Sequence, residues 1–496
     1  MQRVCANSKK VIIIGSGIGG IATAIRLAIQ GFDVSVYEKN PFPGGKLTAF
    51  EKNSYHFDAG PSLFTQPENI EELFALSNEP IENYFTYKPI EIACKYFFPN
   101  GKIVNAYTDP NKFAEELHNE LNENTATVLK YLKNSEKVYN NIGTVFVNHS
   151  LHKWKTWFHR RVFKALTTTR LSYLFHSLNK FNAHNFSSPE AVQIFNRFAT
   201  YNGSNPYKAP AMLSLIPHLE QNTGVYYPTG GMISITNALF NLAKAKGVKF
   251  YFNDPVQQII YYDGKVTGVK VAENIIPADI VVSNGDIYFT YKNLLSDIGK
   301  SNKLLKQERS SSAVIFYWGI KKEFSQLQLH NIFFSSDYRK EFDNIFTSKI
   351  ISSDPTVYIN ITSKLEMAQA PQGKENWFVM VNAPSNVGQN WEAIKKELRE
   401  KVIDKLSKIF GEDIAQLIET EEIVDPVLIE AQTSSYMGSL YGTSSNSKFA
   451  AFLRHANFNN AIKGLYFCGG SVHPGGGIPL CLKSAKIVSE LIQNEK

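Results

Sequence analysis

The chain has 496 residues, a formal net charge of +7 and 43% hydrophobic residues, which makes it too long for one ordinary domain and too apolar to be disordered. Its four cysteines, Cys5, Cys94, Cys468 and Cys481, form no CxxC pair, which argues against a zinc ribbon or a disulfide framework and fits a reducing cytosolic compartment. No stretch has the length of a membrane span: Val11–Leu27, the first apolar run, is broken by glycines and Arg26, so neither a signal peptide nor a spanning helix is expected.

Val11–Ile14 is a β-branched run that reads as a buried parallel strand. It leads into Gly15-Ser16-Gly17-Ile18-Gly19-Gly20, a GxGxxG pattern, and then into a helix with Ile18, Ile21, Ile25 and Ala28 on one face, closing at Gly31. Asp33–Tyr37 reads as a second strand ending on Glu38. Each part has a physical task in holding a dinucleotide. Gly15 permits the tight turn, Gly17 lets backbone approach a pyrophosphate, and Gly20 lets helix and strand pack closely. The helix N-terminus favours the phosphate charge, and Glu38 is placed to accept hydrogen bonds from a ribose. The next residues, Lys39-Asn40-Pro41-Phe42-Pro43-Gly44-Gly45-Lys46, add a Gly-Gly-basic loop.

Pro110–Asn222 reads as mostly helical. Within it, Ser150–His184 holds seven Lys/Arg (Lys153, Lys155, Arg160, Arg161, Lys164, Arg170, Lys180) and no acidic residue, which accounts for the whole charge excess. Trp154, Trp157, Phe158, Val162 and Phe163 alternate with these cations, the pattern of an interfacial helix on an anionic lipid surface, or of a solvated basic face. No nucleic-acid-binding module accompanies the charge, so nucleic acid is not an expected partner. Further on, Lys249–Tyr262 reads as one strand and Asn274–Asp286 as another, ending in Asn-Gly. Ser312–Ile320, Thr356–Ile361 and Asn376–Asn382 have strand composition, and Trp391–Phe410 is an amphipathic helix.

Near the C-terminus, Leu465–Cys468 reads as a short strand and a helix begins at about Ile478, with Pro479 in its first turn. Between them, four glycines within Gly470–Gly477 imply that backbone comes close to something bulky. The histidines show no metal-ligand spacing, and no metal is expected.

The Gly44-Gly45-Lys46 loop resembles the extended flavin signature of the amine oxidase and phytoene desaturase superfamily. The turn Gly469-Gly470-Ser471-Val472-His473-Pro474-Gly475-Gly476-Gly477-Ile478-Pro479 resembles that of bacterial carotenoid desaturases. Phe57-Asp58-Ala59-Gly60-Pro61-Ser62 and Tyr227-Pro228-Thr229-Gly230-Gly231-Met232 agree, so the resemblance covers the whole chain. The form of the turn is most similar to the branch that desaturates hydroxylated carotenoids at the 3,4 position.

The resemblance implies an α/β fold. Its Rossmann-type FAD-binding domain is assembled from residues 1–75, 223–285 and 456–496, with an α+β substrate domain at 76–109 and 286–455. Residues 110–222 form a helical, membrane-associating lobe. It implies non-covalent FAD held by Gly15, Gly17, Gly20, Glu38, Gly45, Lys46, Gly60, Gly470, Gly477 and Ile478. Their loop neighbours Ser16, Ile18, Gly19, Lys39, Pro61, Ser62 and Pro479 join them, with the backbone of Val256 beside the adenine. It further implies a carotenoid substrate of the 1-hydroxy γ-carotene type and a cytoplasmic, peripherally membrane-associated enzyme. His473, in the glycine-rich turn, is either the proton acceptor or a residue that orders the turn. The competing readings are another flavin oxidase of this fold, acting on an amine, retinoid or porphyrinogen, and a non-enzymatic carrier of prenylated partners. The carrier has no need of the Gly45-Lys46 loop or of the C-terminal turn.

Overall fold

A computed structural model of the chain describes residues 8–153, 156, 158, 172–296, 306–447 and 454–495. The chain opens with β1 (Lys10–Ile14), α1 (Ile18–Ile29), β2 (Asp33–Tyr37), the hairpin β3 (Thr48–Lys52) and β4 (Tyr55–Ala59), and α2 (Glu68–Leu76). Strands β5 (Tyr87–Ile90), β6 (Ile92–Phe97) and β7 (Ile103–Tyr107) lead to a helical stretch with α3 (Pro110–Leu121), α4 (Thr125–Val138), α5 (Leu178–Asn185) and α6 (Pro189–Asn196). Then come β8 (Val225–Pro228), α7 (Ile233–Ala245), β9 (Lys249–Tyr251), β10 (Val256–Tyr262), β11 (Lys265–Val271), β12 (Asn274–Pro277) and β13 (Ile280–Ser283). A second group holds β14 (Ser312–Ile320), β15 (His330–Phe333), β16 (Val357–Ile361), β17 (Glu375–Ala383), α8 (Trp391–Phe410), β18 (Ile418–Val424) and α9 (Pro426–Thr433). The chain returns to its start with β19 (Leu465–Phe467) and α10 (Ile478–Gln493).

The first unit is a parallel sheet in the order β19-β13-β1-β2-β9. Strand β1 sits at its centre and is buried on both faces, which is why it reads as an unbroken Val-Ile-Ile-Ile run. On one side Val11 and Ile13 pack against α1, α7 and α10 through Ile21, Ile25, Leu239, Leu242, Leu482 and Val488. On the other, Ile12 and Ile14 pack against the antiparallel sheet β10-β11-β12 and against Ile287, Tyr291 and Leu294.

Two expected single strands are each divided. Lys249–Tyr262 splits into β9 of the parallel sheet and β10 of the antiparallel one, because Asn253 turns to φ 59 and Pro255 cannot donate to a ladder. Asn274–Asp286 likewise splits into β12 and β13 after Pro277, where the chain crosses between the same two sheets. Past residue 75, Phe85 packs into the first unit's core and β5 pairs with β8.

The second unit is a seven-stranded sheet, β18-β14-β17-β16-β15-β6-β7, antiparallel except where β15 meets β6. Trp318, Trp377, Val379, Phe333 and Phe97 point to one face, where α8 covers them with Trp391, Leu398, Val402 and Leu406. The opposite face meets the β3–β4 hairpin at its β14–β17 side, through Tyr55, Phe57, Tyr317 and Phe378. At its β6–β15 side it meets the helical stretch, through Tyr96, Ile332, Phe195 and Phe198. Of the basic segment, Lys155, Arg160, Arg161, Lys164 and Arg170 lie outside the described residues, as do Trp154, Trp157, Val162 and Phe163. Lys153 is described: its ammonium lies 4.2 Å from the Phe458 ring centre and 3.7 Å from Glu495 Oε1.

Candidate active site

The glycine-rich loop after β1 is built by contact. Gly15 takes φ 94 and its N–H donates to Tyr37 O at 2.8 Å, tying the ends of β1 and β2 together. A Cβ at Gly20 would stand 2.2 Å from Gly15 O, so helix and strand can pack only if that position is glycine. At Gly17, the N-cap of α1, no side chain caps the helix, and the first turn, from Ile18 and Gly19, carries no acid. Its leading N–H groups and dipole are therefore available to an anion.

Gly44 and Gly45 lie directly on this loop. Gly44 N–H donates to Ser16 O at 2.9 Å, and a Cβ at Gly45 would stand 3.1 Å from Gly17 Cα. Glu38 is buried at the end of β2, where its Oε2 accepts from Ser16 N–H at 2.7 Å and Ser16 Oγ at 2.9 Å, and its Oε1 from Asn40 N–H at 3.0 Å. The turn before Val256 runs beside it, with Asp254 N–H donating to Glu38 O at 3.0 Å.

The two lysines of the loop diverge. Lys46 buries its ammonium, which donates to Leu440 O at 2.8 Å and Ser439 O at 3.3 Å; burial lowers its pKa and Asp286 opposes the shift. Lys39 extends to α9. Its ammonium donates to Ala431 O at 2.9 Å and Ser434 Oγ at 2.8 Å, drawn by the exposed carbonyls at the C-terminus of α9.

The Phe57–Ser62 and Tyr227–Met232 stretches prove to be one joint. Asp58 accepts from Met232 N–H at 2.9 Å and Ile233 N–H at 3.2 Å, holding the start of α7, and Gly231 at φ 82 lies against its carboxyl oxygens. Burial pushes the Asp58 carboxyl up to about 6. Gly60 is pressed onto Lys46, since a Cβ there would stand 1.8 Å from Lys46 O. Two residues on, past Pro61, Ser62 Oγ lies 2.7 Å from Tyr358 OH.

At the C-terminal turn Gly470 approaches Gly476, with 3.2 Å between its Cβ position and Gly476 Cα, and Pro479 sits in the first turn of α10. Gly477, the N-cap, takes φ 111 without side-chain capping, and no described protein atom lies within 4 Å of its Cβ position. This second uncapped helix N-terminus begins at Ile478, close to the half-buried Cys481, whose thiol desolvation pushes up to about 11. Two glycine cradles that a Cβ would fill, each at an open helix N-terminus, fit a group with an anionic linker and an electron-accepting ring, as FAD has.

His473 faces elsewhere. Its ring is fully buried, donates through Nε2 to His149 O at 2.9 Å and meets the Phe146 ring at 4.9 Å, between the glycine-rich turn and the helical stretch. Burial pulls it down to about 4, so it is neutral at physiological pH. An N–H committed to a backbone carbonyl is what a residue that orders the turn requires.

Three residues at the site escape sequence reasoning. Asn284, following β13, fills the space between the two glycine loops: its side-chain atoms lie 2.8 Å from the Cβ positions of Gly17 and Gly19 and 2.7 Å from that of Gly469. Arg454 is a buried guanidinium held by Tyr441 O at 2.9 Å, Thr443 O at 3.0 Å and Gly470 O at 3.4 Å, with burial pulling it down to about 10. Arg309, near Asp286, lies 4.7 Å from the Tyr436 ring centre, and its Nε and Nη1 are buried without hydrogen-bond partners among the described residues. Only the Asn-Gly after an Ile/Val run hinted at any of them. Among the described residues no cluster of His, Cys, Asp and Glu could hold a metal, and no helix is long and apolar enough to cross a membrane.

The chain is 50% identical over 486 residues to a 1-hydroxycarotenoid 3,4-desaturase from Flavobacterium sp. (strain P99-3), covering 98% of this chain and 99% of that one. A 4,4'-diaponeurosporene oxygenase from Staphylococcus haemolyticus (strain JCSC1435) is 32% identical over 492 residues, 98% of this chain and 97% of the other. In fold the chain is similar to an oxidoreductase from Methanosarcina mazei, with a TM-score of 0.65 at 16% identity over 98% of this chain and all of that one. It is also similar to a putrescine oxidase, with a TM-score of 0.63 at 12% identity, covering 98% of this chain and 99% of that one. The sequence pattern of flavin-containing amine oxidoreductases matches residues 18–493, and the chain belongs to that family.

Proposed function

We propose that the chain is an FAD-dependent carotenoid desaturase that introduces the 3,4 double bond next to the polyene of a 1-hydroxylated carotenoid. The observation that carries this reading is the 50% identity, over 98% of the chain, to a 1-hydroxycarotenoid 3,4-desaturase. The reaction takes a hydride from one carbon of a saturated C–C bond and a proton from its neighbour. When bound, the flavin supplies the two-electron acceptor for the hydride. The chain's own residues bind, align and shield. The open N-termini of α1 and α10 offer N–H groups to the anionic linker and to the pyrimidine side of the ring. Tyr317, Phe378 and Tyr358 on the inner sheet face, with Phe57 of the β3–β4 hairpin packed on them, make an aromatic cluster that suits a polyene laid against the ring with water excluded. Loss of the hydride leaves a positive charge spread over the polyene, and that charge acidifies the neighbouring C–H, so proton loss needs no strong base, and His473 serves to order the turn.

We also take the enzyme to work at the cytoplasmic membrane surface, where so apolar a substrate resides. The support is the run Ser150–His184, with seven Lys/Arg and no acid. Liposome flotation tests it: binding to anionic vesicles at low salt, lost when the segment's cations are changed to Glu, is the expected result.

The deciding experiment mixes FAD-loaded enzyme anaerobically with a 1-hydroxylated γ-carotene-type substrate in liposomes and follows both chromophores. Flavin bleaching together with a red-shifted polyene spectrum is expected. A flavin that stays oxidised there but bleaches with non-hydroxylated or diapo-series carotenoids would refute the substrate assigned.

A further inference from the structure

A buried polar island lies on the inner face of the seven-stranded sheet, at the Tyr358 end of the aromatic cluster, and apart from Tyr358 nothing in the mechanism above uses it. Its centre is His330 on β15, which is 2% exposed. Asn360 Nδ2 donates to Leu329 O at 3.1 Å, which fixes its orientation, and it also donates to His330 Nδ1 at 3.1 Å. Tyr358 OH lies 2.8 Å from the same Nδ1 and contacts Ser62 Oγ at 2.7 Å. Nδ1 is therefore an acceptor, and a neutral ring must carry its proton on Nε2. Burial and the nearby Arg197 guanidinium pull His330 down to about 3, so the ring is neutral. Its Nε2–H is buried and has no hydrogen-bond partner among the described residues.

Beside it, Arg197 and Glu220 form a buried ion pair at 2.9 Å, with the guanidinium over the rings of Tyr96, Phe198 and Tyr201. The Tyr201 hydroxyl and Gln221 Oε1 are likewise buried without partners among the described residues. Buried polar atoms are nearly always paired, and each orphan needs a reason. An unpaired buried donor (His330 Nε2–H), with an unpaired acceptor (Gln221 Oε1) and hydroxyl (Tyr201) on residues that contact the same Arg197–Glu220 pair, matches a small polar group brought in by a ligand.

The position matches too. Ser62 belongs to the loop that begins at Gly60, packed on the Lys46 carbonyl, and Ser62, Tyr358 and His330 are joined by successive hydrogen bonds. A hydroxyl oxygen on C1 stands three bonds from C3, at most about 4 Å away. A group that reads it must therefore sit close to the reacting bond, as a residue linked to the Gly60–Ser62 loop can.

Resting on the desaturase reading, we infer that His330, held by Tyr358 and Asn360, donates its Nε2–H to the C1 hydroxyl and makes this island the specificity subsite for the hydroxylated end. An apolar end would leave the buried donor unpaired, and sites built to bond a hydroxyl reject the analogue that lacks it.

The test compares kcat/KM for a carotenoid with a 1-hydroxylated acyclic end and for its 1-deoxy counterpart, using FAD-loaded enzyme in one vesicle composition. Wild type is expected to prefer the hydroxylated substrate about 10- to 100-fold. His330→Phe should bring that ratio near one, chiefly by slowing the hydroxylated substrate, and His330→Gln, which keeps an N–H donor, should restore part of it. Flavin absorption and melting temperature check that each variant is folded. A proportional loss on both substrates would make His330 structural and overturn the inference. So would a wild type that desaturates both substrates equally well, with the desaturase reading left intact. If neither substrate bleaches the wild-type flavin, the desaturase reading falls and the subsite with it.

Discussion

Changing Gly477 to Ala separates cofactor contact from backbone strain. Gly477 stands at φ 111, ψ 154, a region that essentially only glycine adopts, so any side chain there costs about 1–3 kcal/mol. No described protein atom lies within 4 Å of the Cβ position, so no clash with the protein adds to that cost. Gly411, the C-cap of α8, is the matched control: it takes φ 70, ψ 23, has the same empty surroundings and lies outside the glycine loops. Its alanine costs about 1 kcal/mol, from the left-handed backbone alone. If the N-terminus of α10 meets the flavin, the new methyl at 477 also displaces the cofactor. Overpacking of that kind costs about 1–3 kcal/mol, or roughly 5- to 150-fold in affinity. The assay is reconstitution of deflavinated protein, with flavin fluorescence giving the Kd and thermal melting of the apo form giving the strain. Both variants should melt lower, and Gly477→Ala should bind FAD more weakly. If Gly477→Ala melts lower yet binds FAD as tightly as wild type, the N-terminus of α10 is not at the flavin and the reading of the C-terminal turn is wrong.

Asp58 has a raised pKa in the fold, about 6, so its contribution to stability is complete below the unfolded carboxyl value and is lost as pH rises through 6. Thermal melts between pH 4 and 7 should show this loss, of about 2–3 kcal/mol, in wild type and not in Asp58→Asn. Glu220→Ala strands the Arg197 guanidinium in the core, and chemical denaturation should register a loss of about 3–5 kcal/mol, whereas the Arg197→Met/Glu220→Leu pair should recover most of it. If His473 orders its turn through the bond to His149 O, His473→Gln should keep kcat within about tenfold of wild type. A general base would forfeit about 100- to 10,000-fold, and stopped-flow flavin reduction separates the two.

What could be read from the sequence is what acts through backbone. Gly15, Gly17, Gly20, Gly44 and Gly45 occur as a local pattern because helix, strand and loop must approach within a Cβ's radius: Gly20 closes on Gly15 O, Gly45 on Gly17 Cα, and Gly44 N–H donates to Ser16 O. The Trp391–Phe410 helix was equally plain, with Asn390 capping its start and Gly411 its end. Two strand readings joined elements that belong to different sheets, because Ile/Val content marks burial and carries nothing about which sheet supplies the partner strand.

Side chains that act at a distance left no such pattern. Asn284, Arg309, Arg454 and His330 are single polar residues in four separate parts of the chain, and three of them are placed by partners outside their own segment: Gly15 O for Asn284, Tyr441 and Thr443 carbonyls for Arg454, Asn360 and Tyr358 for His330. Their chemistry arises only when packing removes water from them, since an unpaired N–H is unremarkable on a surface and costly in a core. Cofactor binding as proposed above would rest on main-chain N–H groups at two helix ends, which any residue supplies and glycine exposes. The substrate subsite inferred above rests on one imidazole, whose tautomer is set by Asn360 and whose neutrality is set by burial. Substitutions around His330 should therefore alter which carotenoid end is accepted while the flavin remains bound, and substitutions in the two glycine loops should do the reverse.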